Sequence, residues 1–107
     1  MSFVEVLSES ELWIGEMRPV QVAGRRVLLL RTERGVHAYE DRCPHLGHPL
    51  SQGTLEGSTL TCRAHEFRFD ADSGLGKNPK QLKLVGIEVA CQHGKILVDV
   101  GATPDVP

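Results

Sequence analysis

Apolar residues along this chain come in short runs, separated by glycine, proline and polar turn-formers. Eight stretches read as strands: Val4–Leu7, Arg18–Val22, Arg26–Arg31, Val36–Asp41, Thr59–Cys62, Glu66–Asp70, Gly86–Ala90 and Lys95–Val100. Several alternate with period two, as Val36, Ala38 and Glu40 do against His37, Tyr39 and Asp41. Ala23-Gly24 and Glu33-Arg34-Gly35 are hairpin-length turns, and Asp70–Gly74 and Gln92-His93-Gly94 carry the same turn chemistry. A 3.6-residue period is not sustained anywhere. Ser8–Trp13 has room for one helical turn, with Ser8 as N-cap and Glu11 at the capping-box position. Closely spaced short strands of this kind predict an all-β fold, a small antiparallel sandwich or barrel.

The chain has 107 residues, the size of one domain. We expect a single domain over residues 1–100 and a flexible tail over 101–107, Gly-Ala-Thr-Pro-Asp-Val-Pro. The longest aliphatic run, Val27 to Leu30, is far short of the ~20 residues of a membrane span. The first residues lack the basic and apolar regions of a secretory signal, so a cytoplasmic location is expected. The net charge is −2, without a basic stripe or a block of like charge, which argues against nucleic acid and anionic membrane as partners. Three cysteines, an odd number, point to a reducing compartment and to metal or catalytic use.

Residues 41–58 interrupt the strand pattern with two prolines, three glycines and two histidines. A long irregular segment in a compact domain is usually functional. A second such segment runs from Asp72 to Gln81. Two short motifs border them, Cys43-Pro44-His45 and Cys62-Arg63-Ala64-His65, with sixteen residues between His45 and Cys62. Thiolate and imidazole together suit zinc or an iron–sulfur cluster, not magnesium or calcium. Pro44 pushes Cys43 into extended geometry, where residues two apart lie about 6.5–7 Å from each other on one side of the chain. That separation favours two metals, one for each side chain, over convergence on a single zinc. The Cys-x(2–4)-Cys and His-x(3–5)-His spacings of structural zinc sites do not occur.

Cys-x-His, sixteen residues, then Cys-x-x-His resembles the Rieske [2Fe–2S] motif. Cys43-Pro44-His45-Leu46-Gly47, with Leu50 and Gly53 downstream, is similar to the family's first loop, and Gly76-Lys77-Asn78-Pro79 to its third. Leu12-Trp13-Ile14-Gly15-Glu16-Met17, Thr61–His65 and Gly76-x-Asn78-Pro79 further resemble the ferredoxin component of toluene-type multicomponent di-iron monooxygenases. The resemblance implies a Rieske-type β-sandwich or barrel with a cluster-binding subdomain of loops, about residues 42–81. It implies one [2Fe–2S] cluster, with Cys43 and Cys62 on one iron and His45 and His65 on the other. His48 and Ala64 stand where the bc₁-type proteins have additional cysteines that tie their loops together. Phe67 and Phe69 stand where high-potential members have a Ser and a Tyr donating to cluster sulfur. A potential in the lower third of the roughly −150 to +300 mV Rieske range follows from losing both donors.

The implied function is single-electron transfer, without substrate chemistry of its own. Electrons would pass from an NADH-dependent flavin reductase to a terminal aromatic di-iron monooxygenase, both transient partners of a monomeric ferredoxin. A ferredoxin of an aromatic-ring dioxygenase shares the motif, and so does the small subunit of a nitrite reductase-like complex. A Cys₂His₂ zinc module that mediates contacts is the alternative of another class. With a net charge of −2 and one unit added on reduction, docking is expected to rest on shape and loop contacts more than on steering. Trp13 is expected as a core anchor, Cys91 as a structural thiol, and His37 and His93 as exposed imidazoles. His48 is left open between partner contact and solvent. Asp41, Arg42, Arg63, Glu66, Arg68, Lys77 and Lys80 read mostly as solvated surface. No Ser-His-Asp triad or phosphate loop can be assembled.

Overall fold

The computed structural model describes residues 3–22, 24–42, 49–63, 67–78 and 82–99, and for Asn78 the backbone alone. The described residues are all-β, in two antiparallel sheets. The larger sheet contains β1 (Val4–Ser8), β2 (Met17–Val22), β3 (Arg25–Thr32), β4 (Gly35–Glu40), β9 (Gly86–Gln92) and β10 (Lys95–Asp99). Its order is β1-β10-β9-β4-β3-β2. The sheet curls until its two edge strands lie beside each other, with residues 4–6 and 20–22 lining a common cleft. The smaller sheet is the meander β5 (Thr54–Glu56), β6 (Thr59–Thr61), β7 (Arg68–Asp70) and β8 (Gly76–Asn78).

The eight predicted strands are all present, with ends shifted by a residue or two. Strands β5 and β8 are additional. Three residues carry no readable periodicity, and each is a strand because a neighbour pairs with it: Thr54–Glu56 with Thr59–Thr61, and Gly76 and Asn78 with Phe69 and Arg68. The alternation in Val36–Asp41 divides the strand between two cores, not between core and water. Ala38 packs into the barrel core with Val27, Leu29, Ile87, Ile96 and Val98. Tyr39 packs into the seam core with Leu28, Leu30, Leu50, Leu60, Cys62 and Phe69. Because both faces of β3 are covered, Val27 to Leu30 is an unbroken apolar run, each residue fully buried.

Ser8–Trp13 does form a tight turn, of 3₁₀ type over Glu9–Glu11. The Ser8 backbone N–H donates to Glu11 Oε1 at 3.0 Å, which is the glutamate half of a capping box. The turn carries Leu12 into the barrel core and leaves Trp13 outside. Trp13 is 71% exposed, so it is not the core anchor its composition suggested. Its indole N–H donates to the Ser10 carbonyl at 3.1 Å, and the Trp13 backbone N–H to Glu16 Oε1 at 2.7 Å. Cys91 is corrected too. It is exposed, because β9 leaves the core as it approaches the Gln92-His93-Gly94 turn. Residues 101–107 lie outside the described residues.

Candidate metal centre

Cys62 follows β6 directly and is fully buried within the seam core. It is not in a disulfide. Its backbone N–H donates to the Phe67 carbonyl at 2.7 Å, which closes the chain between residues 62 and 67 into a short loop. His65 is in that loop. Cys43, His45, His48, Ala64, His65, Glu66, Pro79 and Lys80 all lie outside the described residues, so of the four expected ligands the structure places Cys62. Phe69, two strand positions beyond Phe67, is fully buried in the same core, and Phe67 packs partly buried against it.

The base of the first loop is described, and a buried carboxylate closes it. Asp41 Oδ1 accepts the Ser51 backbone N–H at 2.8 Å, and Oδ2 accepts the Ser51 hydroxyl at 2.9 Å. Arg26 donates to Oδ2 at 3.3 Å. The Asp41 side chain has no exposed surface, which corrects the expectation of a solvated charge. Three charge-assisted hydrogen bonds compensate its burial. They tie the end of β4 to the 3₁₀ turn Leu50–Gln52 across the segment holding Cys43 and His45. No pattern rule singles out Asp41 or Ser51, since the partners lie ten residues apart in sequence.

Gly53 then brings the first loop against the second. It has no left-handed φ; the requirement is space, because an added Cβ would collide with the Thr61 carbonyl oxygen. Gln52, Gly53, Thr54, Thr61, Cys62 and Arg63 line one shallow cleft of about 360 Å³ at this end of the small sheet.

The seam between the sheets is bolted at its other end by polar side chains. Asp72 Oδ1 accepts the Thr32 hydroxyl at 2.5 Å and lies 2.9 Å from His37 Nε2. His37 is therefore half-buried and partnered, not a free exposed imidazole, whereas His93 is exposed as expected. The Tyr39 hydroxyl donates to the Ala71 carbonyl at 2.7 Å. Burial first, and then the charges of Asp70 and Asp72, push the Tyr39 pKa up to about 12. The phenol thus remains a proton donor throughout the working pH range. Gly74 has φ of +80° and packs under the ring, where a Cβ would come within 2.9 Å of Tyr39. Asp72 was legible as part of a turn but not as a bolt.

The Cys91 thiol lies on β9 of the larger sheet, near Glu9. Partial burial first, and then the Glu9 carboxylate, push its pKa upward, which disfavours the reactive thiolate.

A buried thiol outside any disulfide, on a loop held against a second loop by a glycine contact, fits a metal centre with a thiolate ligand. The sequence matches the family model described as the Rieske [2Fe–2S] domain over residues 2–89. The chain belongs to the Rieske [2Fe–2S] family. Its cofactor is one Rieske-type cluster, and the zinc-module alternative is set aside. The ferredoxin component of the alkene monooxygenase system of Xanthobacter autotrophicus is 34% identical over 97% of this chain and 86% of its own length. The ferredoxin component of the naphthalene 1,2-dioxygenase system of Pseudomonas putida is 30% identical over 69% of this chain and 71% of its own. Among solved structures, the complex of reduced oxygenase and oxidized ferredoxin in carbazole 1,9a-dioxygenase contains a chain that matches with a TM-score of 0.82. The identity is 28%, covering 90% of this Rieske chain and 91% of the other. Among the described residues no helix is long and apolar enough to cross a membrane.

Proposed function

We propose that this Rieske protein is a soluble, monomeric, cytoplasmic ferredoxin. It carries single electrons from an NADH-dependent flavin reductase to the terminal oxygenase of a toluene-type di-iron monooxygenase system, and it is not itself an enzyme. The observation that carries this reading is the near full-length similarity to a monooxygenase ferredoxin component. The dioxygenase alternative rests on a sequence match over a smaller share of the chain, and on a structural match over 90% of it at the lower identity of 28%.

Cys43, His45, Cys62 and His65 are the ligands of this reading. A [2Fe–2S] cluster held by two thiolates and two imidazoles supplies, when bound, a reversible one-electron couple. The protein's part is positional. Asp41 and Ser51 close the base of the loop bearing Cys43 and His45. The Cys62-to-Phe67 backbone bond closes the loop bearing His65. Apolar packing around Cys62 keeps water from its sulfur. Neither Phe67 nor Phe69 has a hydroxyl to stabilise the reduced state, so the expected potential is low for the family.

The purified protein should be brown, with two irons and two acid-labile sulfides per chain. Alanine at Cys43, His45, Cys62 or His65 should abolish the visible spectrum, and Cys91→Ser should leave it unchanged. Mixed with an NADH reductase and either a di-iron aromatic hydroxylase or a ring dioxygenase, the protein should support turnover of the hydroxylase. Turnover of the dioxygenase alone would move the assignment to that class, and a colourless, iron-free protein would end it.

A further inference from the structure

Net charge conceals how charge is distributed along the small sheet. Its inward row is Leu55, Leu60 and Phe69, which leaves two outward rows. The row at the Cys62 end is Thr54, Thr61 and Arg68, and the row at the β5–β6 turn is Glu56, Thr59 and Asp70. Arg63 and Arg68 are exposed at either side of the loop that the Cys62–Phe67 bond closes. Arg42, also exposed, leads from the Asp41 clamp into the other candidate ligand loop. Among the described residues none of these three guanidinium groups has a carboxylate partner.

The acids nearest this end are already engaged. Asp41 is buried under Ser51 and Arg26, and Glu40 pairs with Arg25 at 3.7 Å. Lys77 differs from the three arginines. It donates to Thr59 Oγ1 at 2.8 Å, and its charge helps hold the Asp70 carboxyl below its ordinary pKa, after the Ser73 hydrogen bond, so it belongs to the acidic row. The opposite end of the sheet carries Glu56 and Asp70, with Glu33, Arg34 and Asp72 sharing the cleft beside the Gly57-Ser58 turn, so acids outnumber bases there. Glu66 and Lys80, one acid and one base, lie outside the described residues and cancel formally.

We propose that Arg42, Arg63 and Arg68 form a basic rim beside Cys62 and the base of the first loop, and that this rim docks a carboxylate-bearing surface on the protein that receives the electron. This rests on the ferredoxin reading above. It also alters the expectation drawn from net charge: attraction is local, at the end where the electron leaves, although the molecule as a whole is negative. Guanidinium forks suit the purpose, because each can bind a carboxylate through two parallel hydrogen bonds.

The local field can be read with small oxidants. Reduced protein is mixed in a stopped-flow instrument with ferricyanide, which takes one electron to become ferrocyanide, or with tris(phenanthroline)cobalt(III), which takes one to become the cobalt(II) complex. With a basic rim, the ferricyanide rate should fall as salt rises, by about tenfold between low and high ionic strength, and the cobalt rate should not. The double variant Arg63→Glu, Arg68→Glu should reverse that order, whereas Arg34→Glu, on the β3–β4 turn, should not. The same double variant should raise the Kd for the oxygenase that supports turnover at least tenfold, again with Arg34→Glu as control. A ferricyanide rate that rises with salt, or an unaltered Kd, overturns the basic rim. An unchanged visible spectrum in every variant shows that the cluster is intact, so those failures leave the ferredoxin reading standing; loss of the brown spectrum from the parent protein is what would remove it.

Discussion

Strand β3 has eight residues and serves two cores, while β5, β6, β7 and β8 have three each and bury a single row. In the barrel, Val27, Leu29, Ile96 and Val98 reach zero exposure through continuous packing. The small sheet buries Leu60 and Phe69 just as fully in the seam core, but only along one row, and adds a few named links: Asp41 to Ser51, Asp72 to Thr32 and His37, Tyr39 to Ala71, and the close approach of Gly53 to Thr61. The barrel is thus stabilised by area, spread over many residues. The small sheet adds points of attachment to one buried row, and in a Rieske domain the bound cluster and its loops stabilise each other. Precision is needed at the centre and stability beneath it, and the chain separates the two.

The largest effect should come from the barrel. Leu29 is fully buried among Val22, Val27, Ala38 and Ile87, so Leu29→Ala should cost about 2–5 kcal/mol. Guanidinium unfolding followed by far-UV circular dichroism measures it, and the visible absorbance should be lost in the same transition. Cluster loss well before barrel unfolding in this variant would mean that the sheets are less coupled than a shared β3 implies.

Gly53→Ala acts on the other region. Its Cβ would drive the first loop away from Thr61, and overpacking of this kind costs about 1–3 kcal/mol. The expected signature is faster bleaching of the cluster under chelator, with a dichroism midpoint lowered by less than in Leu29→Ala. A midpoint lowered as far as in Leu29→Ala, or bleaching at the parent rate, would show that the small sheet is not the weaker part.

The same contrast explains what could be read in advance. Val27–Leu30 and Lys95–Val100 declare themselves because long strands repeat a pattern. The Cys-His pairs declare themselves because the spacing of candidate ligands is local in sequence. Strands β5 and β8 were missed because three residues form a strand only when a partner pairs with them. The bolts were missed because each joins distant residues: Thr32 with Asp72, Tyr39 with Ala71. His37 reads as a surface histidine until Asp72 stands beside it. Asp41 and Arg42 are adjacent and both charged, yet one is buried in a clamp and the other exposed. Composition cannot separate such a pair, because the difference is made by Ser51 and Arg26.

Trp13 gives the smallest expected effect and the sharpest local test. Leu12 and Trp13 are neighbours at the end of one turn, the first with no exposed surface and the second 71% exposed. Burial, not residue size, should decide what each contributes. Leu12→Ala should therefore destabilise the barrel by about 2–5 kcal/mol. Trp13→Ala removes the larger side chain, but one mostly in water, and should stay within about 0.5 kcal/mol of the parent. The turn does not need the indole, because Glu11 bonds the Ser8 backbone and Glu16 the Trp13 backbone, contacts that alanine preserves. Intrinsic fluorescence supplies an independent check, since this is the single tryptophan. Iodide should reach it freely in the folded protein, and quenching should change little on unfolding. Strong protection from iodide, or a destabilisation matching that of Leu12→Ala, would put the indole back in the core, as the sequence had first suggested.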